Sequence, residues 1–323
     1  MSDKMNIVFL AAGKGTRLKR NIAKPLVSAL GQSLVDYVVD EVESFSRELK
    51  IKANFNFVVG HEREKVESHL KSKYSHLGCH FTWQKEQLGT GHALQSFFKE
   101  FPESYQNDYT LVVCADTPLI KKEVFSTLLT FLKTDGCDAV AATFKESNPY
   151  GYGRIERLDN QETGFNIIEE KDANIIQQKI TEVNSALYIF KTSHIEKHIN
   201  SLKSENKNNE FYLTDLFKVD FKVKPVLFKD GDQFLGVNDL SQLEEAENIL
   251  LKRKAKKLQL NGVRLYKSES IYMDWNVKIA PGCDIHPNVS MYGDVEIDEG
   301  SIIEGGCVIK NSKISKNVLV KAH

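Results

Sequence analysis

The 323-residue sequence has no apolar run long enough to span a bilayer, which excludes a membrane-crossing helix as its organising feature. Its early apolar stretch, Ile7 to Ala12, is too short and too near the start to read as a secretory signal. The chain is therefore expected to be cytoplasmic, with no membrane partner. Cysteine is sparse. Cys79, Cys114, Cys137, Cys283 and Cys307 are scattered, with no Cys-x-x-Cys pair, which argues against a disulfide framework and against a structural zinc site. Charge of one sign is also missing. A net charge of −1 gives no global attraction to nucleic acid, so any site for an anion must be local. The length allows a large core and predicts two domains.

Short apolar runs alternate with helical patterns over the first part of the chain. Met5–Leu10, Phe55–Val59, Thr110–Cys114 and Ala139–Ala142 read as buried strands. Leu34–Val42, Arg63–Leu70, Gly91–Phe98 and Val124–Leu132 carry apolar residues at helical spacing. Continuous apolar strands alternating with helices predict an α/β domain with a Rossmann-like, mainly parallel sheet. Its ligands would sit at the carboxyl ends of the strands. Further strands are expected at Arg154–Ile155, Phe165–Glu170 and Val183–Phe190, and helices at Ser193–Leu202 and Phe211–Phe221. Strands without strict helix alternation there predict a partly antiparallel addition.

Around Asn238 the character changes. Ser241-x-x-Glu244 reads as a capping box, acids fill the first turns, and Lys252 to Lys257 fill the end before Asn261-Gly262. A connecting helix of about 20 residues is expected, ~30 Å long. Beyond it, Ile279, Ile285, Met291, Ile297, Ile303 and Ile309 recur every six residues. Cys283, Val289, Val295, Ser301 and Cys307 each follow four places later. One large aliphatic and one small residue per hexapeptide predict a parallel β-helix, with the spacing slipping at Ile314. The expected organisation is a domain over 1–238, a linker helix over 239–262 and a partial β-helix over 263–323.

Leu10-Ala11-Ala12-Gly13-Lys14-Gly15-Thr16-Arg17 leaves the first strand through two glycines. Glycine lets backbone N–H groups approach phosphate, and Arg17 and Lys24 add charge. The pattern is not a Walker loop, since Val8 stands where its first glycine belongs. Nor is it a dinucleotide fingerprint, since Leu18 replaces the third glycine. A plain polar loop is the competing reading. Gln84 to Ala93 is a second candidate. Gly89-Thr90-Gly91 opens a helix with N–H groups suited to an anion or a base edge, and Gln84 offers both donors and an acceptor. His92 reads as packed rather than catalytic. Asp116 ends a strand before Pro118, placed to hold a hard cation such as Mg²⁺, which takes few protein oxygens plus phosphates and water. Asn238 is a candidate for a second oxygen.

With Gly151-Tyr152-Gly153-Arg154, Glu169 beside Lys171-Asp172, Asn184 and Gly236-Val237-Asn238, these motifs resemble the sugar-1-phosphate nucleotidyltransferases. The resemblance is strongest to the bacterial bifunctional uridyltransferase/acetyltransferase branch, and it covers nearly the whole chain, its β-helix being left-handed in that branch. It implies that Leu10, Ala11, Ala12 and Gly13 line the nucleotide while Arg17 and Lys24 meet its phosphates and act in catalysis. Gln84, Gly89 and Thr90 would face uracil, Asp116 and Asn238 would hold Mg²⁺, and Gly153, Glu169 and Asn184 would contact the sugar. The implied reaction joins UTP and N-acetylglucosamine-1-phosphate into UDP-N-acetylglucosamine and pyrophosphate, for peptidoglycan and lipopolysaccharide.

The sequence departs from that branch in places. Lys24 precedes Pro25 rather than following it, Cys114-Ala115 replaces Tyr-Gly, and Ser185-Ala186 replaces Thr-Gly. The acetyl-transfer residues of the branch have no counterparts before His323, so no acetyltransferase activity is expected of this chain. The resemblance implies assembly as a homotrimer through the β-helix, but about two coils would offer little interface and leave the oligomeric state open. Two alternatives stand beside the leading reading: another sugar-1-phosphate nucleotidyltransferase, and a non-catalytic nucleotide-binding assembly subunit.

Overall fold

The computed structural model describes residues 2–19, 22–158, 164–218 and 222–322. The chain forms two compact units, one of residues 1–26 with 37–236 and one of 27–36 with 237–323. In order the elements are β1 (Lys4–Ala11), the short β2 (Ser28–Ala29) and β3 (Gln32–Ser33), α1 (Leu34–Glu48), β4 (Lys52–Val59), α2 (Arg63–Lys73), β5 (His80–Trp83), α3 (Thr90–Glu100), β6 (Tyr109–Cys114), α4 (Lys122–Thr134), β7 (Ala139–Lys145), β8 (Arg154–Arg157), β9 (Phe165–Ile168), β10 (Glu182–Lys191), α5 (Thr192–His198), β11 (Val223–Phe228) and α6 (Leu240–Leu260).

The first unit is a Rossmann-like, mainly parallel sheet in the order β11-β7-β10-β6-β1-β4-β5, with β8 and β9 attached to β10. β1 is central and pairs in parallel with β4 and β6. Met5, Ile7, Val8 and Phe9 have no exposed surface, as a strand covered on both faces requires. β10 is antiparallel to both β6 and β7, and β8 and β9 form the expected antiparallel addition. The chain runs outward from β1 through β4 to β5 and then returns to β6 on the other side of β1. A crevice therefore opens between the carboxyl ends of β1 and β6.

Two strands of this sheet have no counterpart in the sequence reading. β5 is four residues long with only Thr82 buried, and β11 contains Lys224 and Pro225. Both lie at the ends of the sheet order, where a strand needs neither a continuous apolar run nor every N–H. The helix expected over Phe211–Phe221 is instead a 3-10 turn, Leu213–Phe217. Residues 219–221 of that expectation lie outside the described residues. α5 ends at His198 and passes into a 3-10 turn, Ile199–Ser201.

In the second unit the helix cap sits two residues before the expected Ser241. Asp239 is the N-cap, its carboxylate accepting from Gln242 N, and Gln242 Oε1 accepts from Asn238 N at 2.8 Å. The hexapeptide segment winds as a left-handed parallel β-helix of one four-stranded and two three-stranded sheets. Ile285 pairs with Ile303, Met291 with Ile309 and Ile279 with Ile297. The aliphatics point inward and are buried, as are Cys283, Val289, Val295 and Ser301 at the corners. The register slips where Ile297 meets Ile314. Stacking begins earlier than the repeat does. Arg264–Leu265 pairs with Asp284–Ile285, and Tyr272–Met273 with Ser290–Met291. The β-helix therefore has three full turns and the start of a fourth rather than about two. Its first turn lacks six-residue spacing between Leu265 and Met273, and so is invisible to periodicity.

Lys254 on α6 is nearly buried, and its ammonium donates to the carbonyls of Asp274 and Trp275 at 2.6 Å each. The β2–β3 hairpin joins the same node, since Leu30 O accepts from Trp275 N at 2.7 Å. Burial pushes Lys254 from 10.5 down to about 7, with Asp274 opposing and Lys257 reinforcing the fall. Between those values the unfolded chain holds a proton that the folded chain has released, so stability rises with pH from about 7 towards 10.5. Lys254→Met keeps the stem and removes this contribution. Thermal melts at pH 7 and pH 9 should show the wild type gaining on the variant as pH rises, and parallel shifts would refute it.

Candidate active site

Three loops leave the carboxyl ends of parallel strands in the first unit: Ala12–Gly15 after β1, Gln84–Gly89 after β5 and Ala115–Asp116 after β6. With Lys24 and Pro25 they line a cavity of about 380 Å³. It gathers Leu10, Ala11, Ala12, Gly13, Lys24, Gln84, Gly89, Thr90 and Asp116 from the sequence-derived set. Gln87, Ala93, Cys114, Ala115 and Glu210 also line it. Glu210 carries no sequence signal, because its segment follows a long detour through β7 to β10.

The geometry starts from the sheet. Leu10 is opposite Cys114, and Ala115 N donates to Leu10 O at 3.2 Å, so the first and third loops begin side by side. Gln87 Nε2 donates to Ala12 O at 2.7 Å and ties the second loop to the first. Gly60, beyond β4, allows this approach, since a Cβ there would lie 2.8 Å from Ala12 O. Lys24 Nζ and Asp116 Oδ2 form a direct ion pair.

Gln84 is buried, and its amide nitrogen donates to Gly89 O at 3.0 Å and faces His92 Nδ1 at 3.1 Å. With both N–H groups committed, His92 Nδ1 is the acceptor, and Gln84 Oε1 is the part of the amide that remains to accept a hydrogen bond. His92 thus orients Gln84 and packs near Phe211, in keeping with a packed role. The Gly89-Thr90-Gly91 expectation needs correction. Gly91 N is not free for an anion; it donates to Phe211 O at 2.7 Å. A Cβ on Gly89 or Gly91 would approach Phe211 O to 2.6 or 2.8 Å, so these glycines admit a neighbouring chain.

Gly153, Glu169 and Asn184 come together in a separate cluster, and none of them lines the cavity. Asn184 N donates to Gly153 O at 2.8 Å, and a Cβ on Gly153 would lie 3.5 Å from Glu169 Oε2. Asn184 Nδ2 donates to the Tyr188 hydroxyl at 2.7 Å. Glu169 accepts from Thr214 Oγ1 at 3.0 Å, and burial raises its carboxyl above the usual range. Arg154, from the same motif, is buried and paired with Glu170 at 2.8 Å, which makes it structural. Arg17 is exposed on a 3-10 turn, Thr16–Leu18, and is not among the lining residues. Asn238 belongs to the second unit.

The chemistry available is that of charge neutralisation. Cys114 lines the cavity, but burial pushes its thiol up to about 12, so it stays protonated and is not a nucleophile. Among the described residues no group of three or more His, Cys, Asp or Glu could hold a metal ion. The Asp116 carboxylate suits a hard dication that draws its remaining oxygens from phosphates and water.

A glycine loop, a buried amide and a Lys–Asp pair at a sheet switch point define a nucleotidyltransferase. A family model described as the MobA-like NTP transferase domain matches residues 7–212. The bifunctional protein GlmU of Pelobacter propionicus is 34% identical, covering 99% of this chain and 68% of that protein. GlmU of Streptococcus equi subsp. zooepidemicus is 35% identical, covering 97% and 66%. The chain thus spans about two thirds of the length of these relatives. The fold is shared with a solved UDP-glucose pyrophosphorylase complexed with UDP-glucose, with a TM-score of 0.58 and 21% identity over 78% of this chain and 100% of that one. The chain belongs to the MobA-like NTP transferase family, in the branch of the bifunctional GlmU proteins.

Ala186 sits at the irregularity where the β10–β7 register shifts, with φ at 59°. Left-handed backbone costs alanine ~1–2 kcal/mol. Glycine returns ~0.4–1 kcal/mol of that through unfolded-chain entropy. Ala186→Gly should therefore raise stability by about 1 kcal/mol, read as a higher urea midpoint at constant slope. A lower midpoint would show that the alanine methyl contributes more packing than the backbone costs.

Proposed function

We propose that this protein is a Mg²⁺-dependent uridylyltransferase that makes UDP-N-acetylglucosamine for cell-wall precursors from UTP and N-acetylglucosamine-1-phosphate. A phosphate oxygen of the sugar phosphate attacks the α-phosphorus of UTP. The new P–O bond forms as the bond to the β-phosphate oxygen breaks and pyrophosphate leaves. The observation that carries this reading is the meeting of Leu10 to Gly13, Lys24, Gln84, Gly89, Thr90 and Asp116 around one cavity at the switch point. Kinship with the GlmU proteins supports it.

In this reading Gln84 Oε1 faces the uracil edge, and the glycine loop receives the phosphates. Lys24 neutralises charge on the transferring group, and Arg17 meets the phosphates from its exposed turn. Gly153, Glu169 and Asn184 take the sugar. The proposed transfer calls for a divalent metal to neutralise the developing charge on the phosphates. Mg²⁺ would be held by Asp116, and it would offset charge on the phosphates in the transition state. No protein nucleophile is required, because positioning and electrostatics supply the rate. The expected domain limits, 1–238, 239–262 and 263–323, assign this chemistry to the first of the three. A homotrimer through the β-helix is part of the proposal.

Pyrophosphate release with UTP, N-acetylglucosamine-1-phosphate and Mg²⁺ tests the reading. Asp116→Ala should lower it by at least ~10²–10³-fold, the scale for losing one preorganised electrostatic group. The variant's thermal melt should stay cooperative. Undiminished turnover would defeat the metal assignment, and a preference for dTTP or GTP would defeat the uridyl reading.

A further inference from the structure

Lys24 and Asp116 are expected to serve different partners, Lys24 a phosphate and Asp116 a dication, yet their side chains form an ion pair with each other. Both side chains are largely shielded, at 13% and 22% exposure, so the pair is not a solvent-screened surface contact. We infer that Lys24 is an internal counter-ion that keeps Asp116 from taking a divalent cation until a triphosphate draws the ammonium away. The inference rests on the proposed uridylyl-transfer site and adds an order of events to it.

Three observations support the gate. Among the described residues that line the cavity, Lys24 supplies the one cationic side chain, against two carboxylates, Asp116 and Glu210. A triphosphate meeting that lining gains little unless it brings a cation, and a cation alone meets a carboxylate already neutralised. No described cluster of His, Cys, Asp or Glu offers the metal a better site, so its affinity depends on oxygens that the nucleotide supplies. The third observation concerns the lysine stem. A Cβ on Gly15 would lie 3.0 Å from Lys24 Cβ, and one on Gly13 would lie 3.8 Å from Lys24 Cδ. The stem therefore lies along the same glycine loop that is proposed to receive the phosphates. Rotation about the outer bonds of the four-carbon chain carries the ammonium from Asp116 towards that loop while the backbone stays in place. A carboxylate released in this way faces a dication that arrives bound to the nucleotide. Metal and triphosphate would thus bind as a unit, and the free protein would not be charged with metal in advance.

The test is Mn²⁺ binding to the full chain without nucleotide, followed by electron paramagnetic resonance of the unbound ion. Wild type should bind weakly. Lys24→Met, which keeps the stem and removes the charge, should bind at least tenfold tighter, and Lys24→Gln should behave alike. Lys24→Arg keeps the charge and should stay as weak as wild type. The gate is overturned if neither neutral variant binds tighter than wild type. In that case Asp116→Asn still weakening Mn²⁺·UTP binding would leave the proposed site standing without its gate. If Lys24→Met binds tightly but adding Asp116→Asn to it changes nothing, the ion is elsewhere and the site reading falls together with the gate.

Discussion

The structure depends on parallel pairing of β1 with β4 on one side and β6 on the other. A parallel strand sends its carboxyl end to the same edge as its neighbours, so loops distant in sequence must emerge together. Leu10 is fixed beside both Val58 and Cys114. The glycine loop and the Asp116 loop therefore share a boundary before any ligand is considered. Leu34 to Glu48 returns the chain for β4, and the reversal of strand order after β5 opens the crevice between β1 and β6. The ion pair between Lys24 and Asp116, the Gln87 bond to Ala12 O and the cavity itself all follow from that shared edge.

A second constraint comes from outside the sheet. The segment around Phe211 is bonded in both directions to the Gln84 loop: Phe211 N donates to Leu88 O, and Phe211 O accepts from Gly91 N, each at 2.7 Å. Leu213 N donates to Thr90 Oγ1 at 3.2 Å. Asn206 holds the approach to this segment, its side-chain oxygen accepting from Asn208 N and Glu210 N. The two glycines flanking Thr90 thus serve a chain contact, and through that contact Glu210 reaches the cavity. The helix start at Thr90 contributes position more than free N–H groups.

Much of this was legible in the sequence because buried strands and six-residue repeats leave strong periodic signals. β1, β4, β6 and the hexapeptides from Ile279 are all buried on a regular schedule. The signal failed where burial is one-sided or spacing irregular. β5 and β11 are strands at the sheet ends, the Leu265–Met273 turn of the β-helix lacks the repeat, and the Leu213–Phe217 turn is too short for helical periodicity. At the site, residues on strand ends and glycine loops could be picked out because each has a local chemical reason. Gln87 has no role that its sequence context reveals, since its partner is a carbonyl whose position depends on β1 and Gly60. Glu210 and the Gln84–His92 contact needed the tertiary fold. The Lys24–Asp116 pair was unreadable for another reason: each residue was assigned to a ligand, and nothing in a sequence says what two such groups do without one.

Charge ties these levels together. With a net charge of −1 the molecule has no long-range field to attract a nucleotide, so attraction must be local. Lys14 and Arg17 are exposed on the glycine loop, where they are hydrated and screened by salt. Lys24 is shielded, where each charge interaction is stronger. Division of labour follows from burial: exposed cations favour encounter, and the shielded one favours discrimination. A shielded ammonium without a partner would carry a desolvation cost, and Asp116 offsets it. In the proposed mechanism the carboxylate that stabilises Lys24 is also the group that must be released for the metal, so stability of the cavity and readiness for metal are opposed at a single pair of side chains.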